Sequence, residues 1–208
     1  MAINMAQKRA RKEQRRKELA TLARRAHAME NSLPARVARA AQAPIQGCYL
    51  TDSIFEIGMG MLLVARGASS SYVRMSAFLI DVWSLGIKDV IFEELDGDAF
   101  DLYLDRMNAG SPLISVDPGY ARKLLRDLAV WSASIGFTPH RDFAKVERIF
   151  GEVSADACDA VFSFGRESKP VYISGPSETV NQVISRSEQL QRHLAGRTDA
   201  AGDANDME

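Results

Sequence analysis

Residues 54–83, IFEIGMGMLLVARGASSSYVRMSAFLIDVW, hold two apolar runs separated by the small residues Ala68 to Ser71. Small flexible residues between two such runs predict a β-hairpin. Both runs are too apolar for a solvent-facing edge, so the hairpin is expected at the centre of the core. The next stretch, residues 84–110, SLGIKDVIFEELDGDAFDLYLDRMNAG, reads as helical in part, broken near Asp96, Gly97 and Asp98 and ended by Asn108 to Pro112.

The best-marked helix follows. Asp117 stands as its N-cap and Pro118 at its first position, Leu124, Leu125, Leu128, Trp131 and Ile135 recur at helical spacing, and Gly136 stops it. Thr138 and Pro139 open a shorter helix with Phe143, Val146, Ile149 and Phe150 inward and Gly151 at its end, which makes a helical hairpin. Residues 160–174, AVFSFGRESKPVYIS, predict a second β-hairpin turning at Gly165 to Lys169, with Pro170 confining it to an edge or a strand start. Residues 175–194 predict a last amphipathic helix with Val180, Val183, Ile184, Leu190 and Leu194 facing in. The expected fold class is α+β: two β-hairpins in a mixed or antiparallel sheet, packed with a helical hairpin and a C-terminal helix.

The N-terminal stretch has a different texture. Residues 5–32, MAQKRARKEQRRKELATLARRAHAMENS, contain strong helix formers and neither Gly nor Pro, predicting an extended helix over Met5–Glu30. Its apolar positions, Leu19, Leu22, Ala23, Ala26 and Met29, form one weak stripe, and its first half is charged all round. Pro34 and Pro44 bracket a hinge and a short second helix. The chain's net charge of −1 hides a separation: residues 1–43 carry eleven Lys and Arg against three Glu, and the remainder fifteen against twenty-four acidic residues. Residues 1–46 are therefore expected to be a basic helical arm, 47–195 a globular α+β domain and 196–208 a disordered acidic tail.

That charge pattern carries the main functional expectation. Lys8, Arg9, Arg11, Lys12, Arg15, Arg16 and Lys17, with Arg24 and Arg25 further on, suit a phosphate backbone whose counterions they can release. The arm lacks aromatic residues for base stacking, so the contact is expected to be electrostatic and largely independent of sequence. The expected partner is nucleic acid or a ribonucleoprotein. The plain alternatives are a solvated extension, a nuclear localisation segment, or a protein-interaction scaffold in which the arm meets an acidic partner.

A second class is a metal-dependent hydrolase or nuclease. Asp81 and Asp89, with Glu93 and Glu94, could hold magnesium or manganese if they converged at a sheet edge. The favoured structural alternative is that Asp81 or Ser84 caps a helix start and the two glutamates lie on that helix's wet face. His140 lies near Asp142 without a paired nucleophile, and is expected to close a helix turn. Residues 172–180, YISGPSETV, place amides at a helix start that can receive an anion, with Ser174 or Ser177 as a capping alternative. Cys48 and Cys158 are too few for a disulfide framework and lack zinc-ligand spacing, so both are expected to be small apolar fillers in a reducing, cytoplasmic setting. No cofactor is expected. No run is long enough to cross a membrane, no secretory signal opens the chain, and Glu13, Glu18 and Glu30 count against a transit peptide.

The motifs GMLLVARG, FLIDVWSLGIKDV, GFTPHRDF and FSFGRESKPVYISGP lie between Gly47 and Pro176. On them the chain resembles a bacterial family of unassigned function whose members often begin with a short Lys/Arg-rich segment. The resemblance implies one folding unit from Gly47 to about Leu194 and carries no catalytic residue. Trp83 and Ser84 stand where the family is expected to have a more tyrosine- and cysteine-like pair.

Overall fold

The structure, a computed structural model, describes residues 5–175 and 178–203, with side chains described for 11–175 and 178–195. Its centre is an antiparallel sheet of five strands in the order β4-β3-β2-β1-β5. The strands are β1 (Ile45–Thr51), β2 (Met59–Ser69), β3 (Tyr72–Asp81), β4 (Gly86–Asp96) and β5 (Leu113–Ser115). The predicted hairpin is β2 and β3, paired from Met59 opposite Asp81 to Arg66 opposite Arg74.

Alternation along this hairpin feeds two cores. Leu62, Val64, Phe78 and Ile80 face the larger one, against α2 (Leu33–Ala40), α5 (Pro118–Ser134), the short α6 (Phe143–Val146) and the 3-10 turn Glu147–Phe150. Leu63, Ala65, Met75 and Ala77 face the opposite layer, where Phe100, Tyr103 and Leu104 of α4 (Gly97–Gly110) cover them. Each fully buried Leu or Phe contributes on the order of 1.5–3 kcal/mol, so the two-sided cover accounts for the unbroken apolar runs. Arg66 is buried within this packing because its guanidinium caps chain ends. Nη1 donates to the carbonyls of Ala41 and Ala43 at 2.9 and 2.6 Å, and Nη2 to that of Phe150 at 2.6 Å.

Several elements differ from expectation. Residues 86–96 form β4, not a helix: β3 offers pairing from Tyr72 opposite Asp96 to Asp81 opposite Gly86, and Ile87, Val90, Ile91 and Phe92 suit a pleated surface. The break at Asp96 to Asp98 is real, but it marks the passage from strand to helix, with Asp96 accepting from the Ala99 amide at 2.8 Å. Strands β1 and β5 were not anticipated; β1 sets Cys48 opposite Val64 and Leu50 opposite Leu62, and β5 has only three residues.

The second hairpin does not form either. Between 160 and 174 a lone bridge joins Arg166 and Lys169, and the segment is tied instead to the β3–β4 turn, by Gly165 N–H to the Val82 carbonyl (2.8 Å) and Val171 N–H to the Trp83 carbonyl (2.9 Å). Pro170 has no N–H to offer a partner strand. Phe162 and Phe164 then pack on Tyr120 and Trp131.

The helix starts follow the sequence more closely. Asp117 accepts from the Gly119 and Tyr120 amides at the head of α5. The shorter helix begins at Phe143, after Asp142, instead of at Thr138. The one-turn α3 (Ile54–Ile57) ends at Gly58, whose φ of +85° carries the chain beneath Trp83. A Cβ there would overlap the Trp83 ring. Gly58→Ala is therefore expected to cost on the order of 2–4 kcal/mol, from left-handed strain plus overpacking; a denaturant titration checks it.

Two boundaries move. Val37 and Ala40 of α2 are wholly buried and Arg36 pairs with Glu94 at 3.2 Å, so α2 belongs to the body and the separable arm ends near Asn31, not at residue 46. The last helix, α7 (Val180–Asp203), runs into the segment expected to be disordered; residues 204–208 lie outside the described residues. Of its five expected inward residues, only Leu190 is buried, Val183 is half-buried, and Val180, Ile184 and Leu194 are exposed. Its start is a capping box the sequence reading missed: the Gln182 side chain accepts from Thr179 N–H at 2.8 Å, and Thr179 Oγ1 accepts from Gln182 N–H at 3.4 Å. No helix among the described residues is long and apolar enough to cross a membrane.

Candidate nucleic-acid interface

Helix α1 (Met5–Glu30) is as predicted in extent, and at 26 residues it is about 39 Å long. Every residue from Arg11 to Glu30 is exposed, Leu19, Leu22 and Met29 included, so its weak apolar stripe packs on nothing among the described residues. Lys8 and Arg9 lie on its helical backbone, with side chains outside those described. Arg11, Lys12, Arg15, Arg16, Arg24 and Arg25 form no ion pair among the described residues, and Lys17 pairs only with Glu13 of the same helix, at 2.9 Å. Among the described residues the arm joins the body at its end, where Arg39 donates to the Glu30 carbonyl at 2.5 Å. With Arg36 and Arg39 assigned to the body, residues 1–31 still carry nine Lys and Arg against three Glu.

The acidic candidates do not converge. Asp81 is buried at the end of β3 and saturated by its own turn: Oδ1 accepts from the Trp83 and Ser84 amides, each at 2.9 Å, and Oδ2 from the Ser84 hydroxyl at 3.1 Å. Burial pushes its carboxyl up, against these hydrogen bonds. Asp81 thus organises the β3–β4 turn, where a helix cap was expected. Asp89 is exposed and accepts from the Val90 amide at 2.8 Å. Glu93 and Glu94 stand on β4, with Glu94 bridging Arg36 at 3.2 Å and Arg74 at 3.5 Å. Among the described residues no group of three or more His, Cys, Asp and Glu is placed to hold a metal ion.

His140 fastens the 137–142 loop. Its amide donates to the Ile87 carbonyl at 2.9 Å and its Nδ1 accepts from the Asp142 amide at 3.3 Å. That puts the ring proton on Nε2 and makes the outward nitrogen a donor, unlike a general base. Asp142 is occupied by Lys145. Cys48 is buried and burial pushes its thiol to about 12, the behaviour of a filler, whereas Cys158 is only partly buried.

The anion expected at the start of the last helix is supplied by the chain itself, through a residue that sequence reasoning passed over. Glu178 accepts from Gly175 N–H at 3.0 Å, from the Tyr172 hydroxyl and from Lys88 at 3.3 Å, and it pairs with Arg186. Ser177 lies outside the described residues and Ser174 makes no cap. Burial alone would raise the Glu178 carboxyl, but the Tyr172 hydroxyl, the Gly175 amide and Lys88 hold it at about 2. A carboxyl depressed from 4.5 contributes stability above pH 4.5 that is lost as pH falls toward 2, here on the order of 2–3 kcal/mol. Glu178→Gln is expected to lower Tm at pH 7 and to flatten the loss of stability between pH 4.5 and 2, read by melts across that range.

Comparison of the chain with models of known protein families, with curated proteins and with solved structures found no match.

Proposed function

We propose that this chain is a binding protein that attaches to nucleic acid or a ribonucleoprotein through α1, largely without regard to sequence. What supports this most is the exposure of every described side chain of this cationic helix, Arg11 to Glu30, with none of its described cations paired to the body. A helix about 39 Å long whose described cations the body does not neutralise spans roughly one turn of a duplex and can meet phosphates along its length. Adsorption on a lipid surface would require a broad apolar face opposite the charges, and among its described residues α1 has Leu19, Leu22 and Met29 as its large apolar side chains. Two thiols without a disulfide fit a reducing compartment such as the cytoplasm.

The test is removal of residues 1–31; cutting at residue 43 would strip α2 from the core. The shortened chain is expected to lose retention on both RNA and DNA at 50 mM salt. Undiminished binding at equal salt would refute the proposal.

A further inference from the structure

A recess of about 190 Å³ opens beside the Glu178 cluster, between β4, the 137–142 loop and α7. Its polar lining is rich in donors. Lys88 and Arg186 both reach it, each giving a hydrogen bond to Glu178 Oε1 and keeping further N–H groups. His140 adds Nε2–H, fixed as a donor by the Asp142 amide on Nδ1. Neither that nitrogen nor the Thr138 hydroxyl has a hydrogen-bond acceptor among the described residues; the nearest carboxylate to His140 is the exposed Asp89, at 3.8 Å. Leu85 and Phe137 floor the recess with apolar surface, which lowers the local dielectric and strengthens charge recognition there. Lys88 and Arg186 are balanced by the inward Glu178 and the exposed rim carboxylate of Asp89, so what the recess offers an anion is its remaining donors, and the guanidinium fork of Arg186 suits a tetrahedral or planar oxyanion.

We propose that the recess formed by Lys88, Thr138, His140 and Arg186 binds a phosphate-type oxyanion, either orthophosphate or the end of a phosphomonoester. Four donors of different geometry reach one small volume from three chain segments, and Glu178 holds Lys88 and Arg186 in place beside it. The site is independent of α1.

Thermal melts of the full chain test it, with sodium phosphate or phenyl phosphate against sodium chloride at equal ionic strength. Phosphate at a hundred times its dissociation constant is expected to raise Tm by roughly 5–10 °C, saturably. Equal responses to both probes assign the site to free phosphate, and a larger response to phenyl phosphate assigns it to an ester whose ring lies on Phe137. Arg186→Gln should abolish the shift. Because that change also loosens the Glu178 cluster, Thr138→Trp, which narrows the mouth and leaves the cluster intact, should abolish it as well. No shift beyond the chloride control with either probe, or an undiminished shift in both variants, overturns the proposal.

Discussion

Replacing Arg15, Arg16 and Lys17 by glutamine is expected to lower the slope of log binding constant against log salt by about 2.7 for duplex DNA, at roughly 0.9 for each phosphate that is no longer neutralised. All three side chains are exposed on α1, and among the described residues only Lys17 has an ion-pair partner, the exposed Glu13. The exchange is therefore expected to weaken the proposed hold on phosphate without disturbing the body. For the intact arm, six or more neutralised phosphates imply a fall in affinity of at least ~10³ between 50 and 200 mM salt. The fall should be similar on unrelated sequences, since α1 has no aromatic residue to stack on bases. Fluorescence anisotropy at four or five salt concentrations reads the slope, and the melting temperature of the triple variant should equal that of the parent.

Asp81→Ala is expected to be the most damaging exchange at a carboxylate. It removes the acceptor for two buried amides and the Ser84 hydroxyl at the turn that holds β3 to β4. Buried donors left without acceptors cost about 1–3 kcal/mol each, so a total near 4 kcal/mol and a Tm lower by roughly 8–16 °C are expected. Asp81→Asn should cost far less, because it keeps the carbonyl acceptor and mimics the neutral carboxyl that burial favours. A raised carboxyl pKa adds stability on the acid side that is lost as pH rises through it, so Asp81→Asn should lose least at neutral pH. The damage should be the same in EDTA and in magnesium. A magnesium-dependent rise in the parent's Tm that Asp81→Ala abolishes would instead restore the metal-site alternative.

The sequence disclosed most where local chemistry decides local structure. Asp117-Pro118 starts α5, Ala68 to Ser71 turns the central hairpin, and the absence of Gly and Pro lets α1 run unbroken. It misled where tertiary partners decide. Residues 87–95 resemble a helix by composition until β3 presents a full strand for them to pair with. The 160–174 segment has hairpin-like composition, yet finds its acceptors in the Val82 and Trp83 carbonyls of a distant turn. The Glu178 cluster was illegible for the same reason, since Lys88 and Glu178 lie ninety residues apart and no spacing rule connects them. Charge, in contrast, was legible residue by residue, although the burial of Val37 was needed to show that Arg36 and Arg39 belong to the body and not to the arm.

At the centre of this account is a cationic helix that the body neither shields nor needs. The most direct measurement compares melting temperatures of the full chain and of a chain lacking residues 1–31, at 20 mM and at 500 mM salt. The two proteins are expected to melt within about 2 °C of each other at both salt concentrations, because α1 buries nothing among the described residues and its described cations pair with no body carboxylate. A shortened chain that melts several degrees lower at 20 mM salt, with the gap closing at 500 mM, would show that the arm's charges are spent bracing the body, contradicting the account.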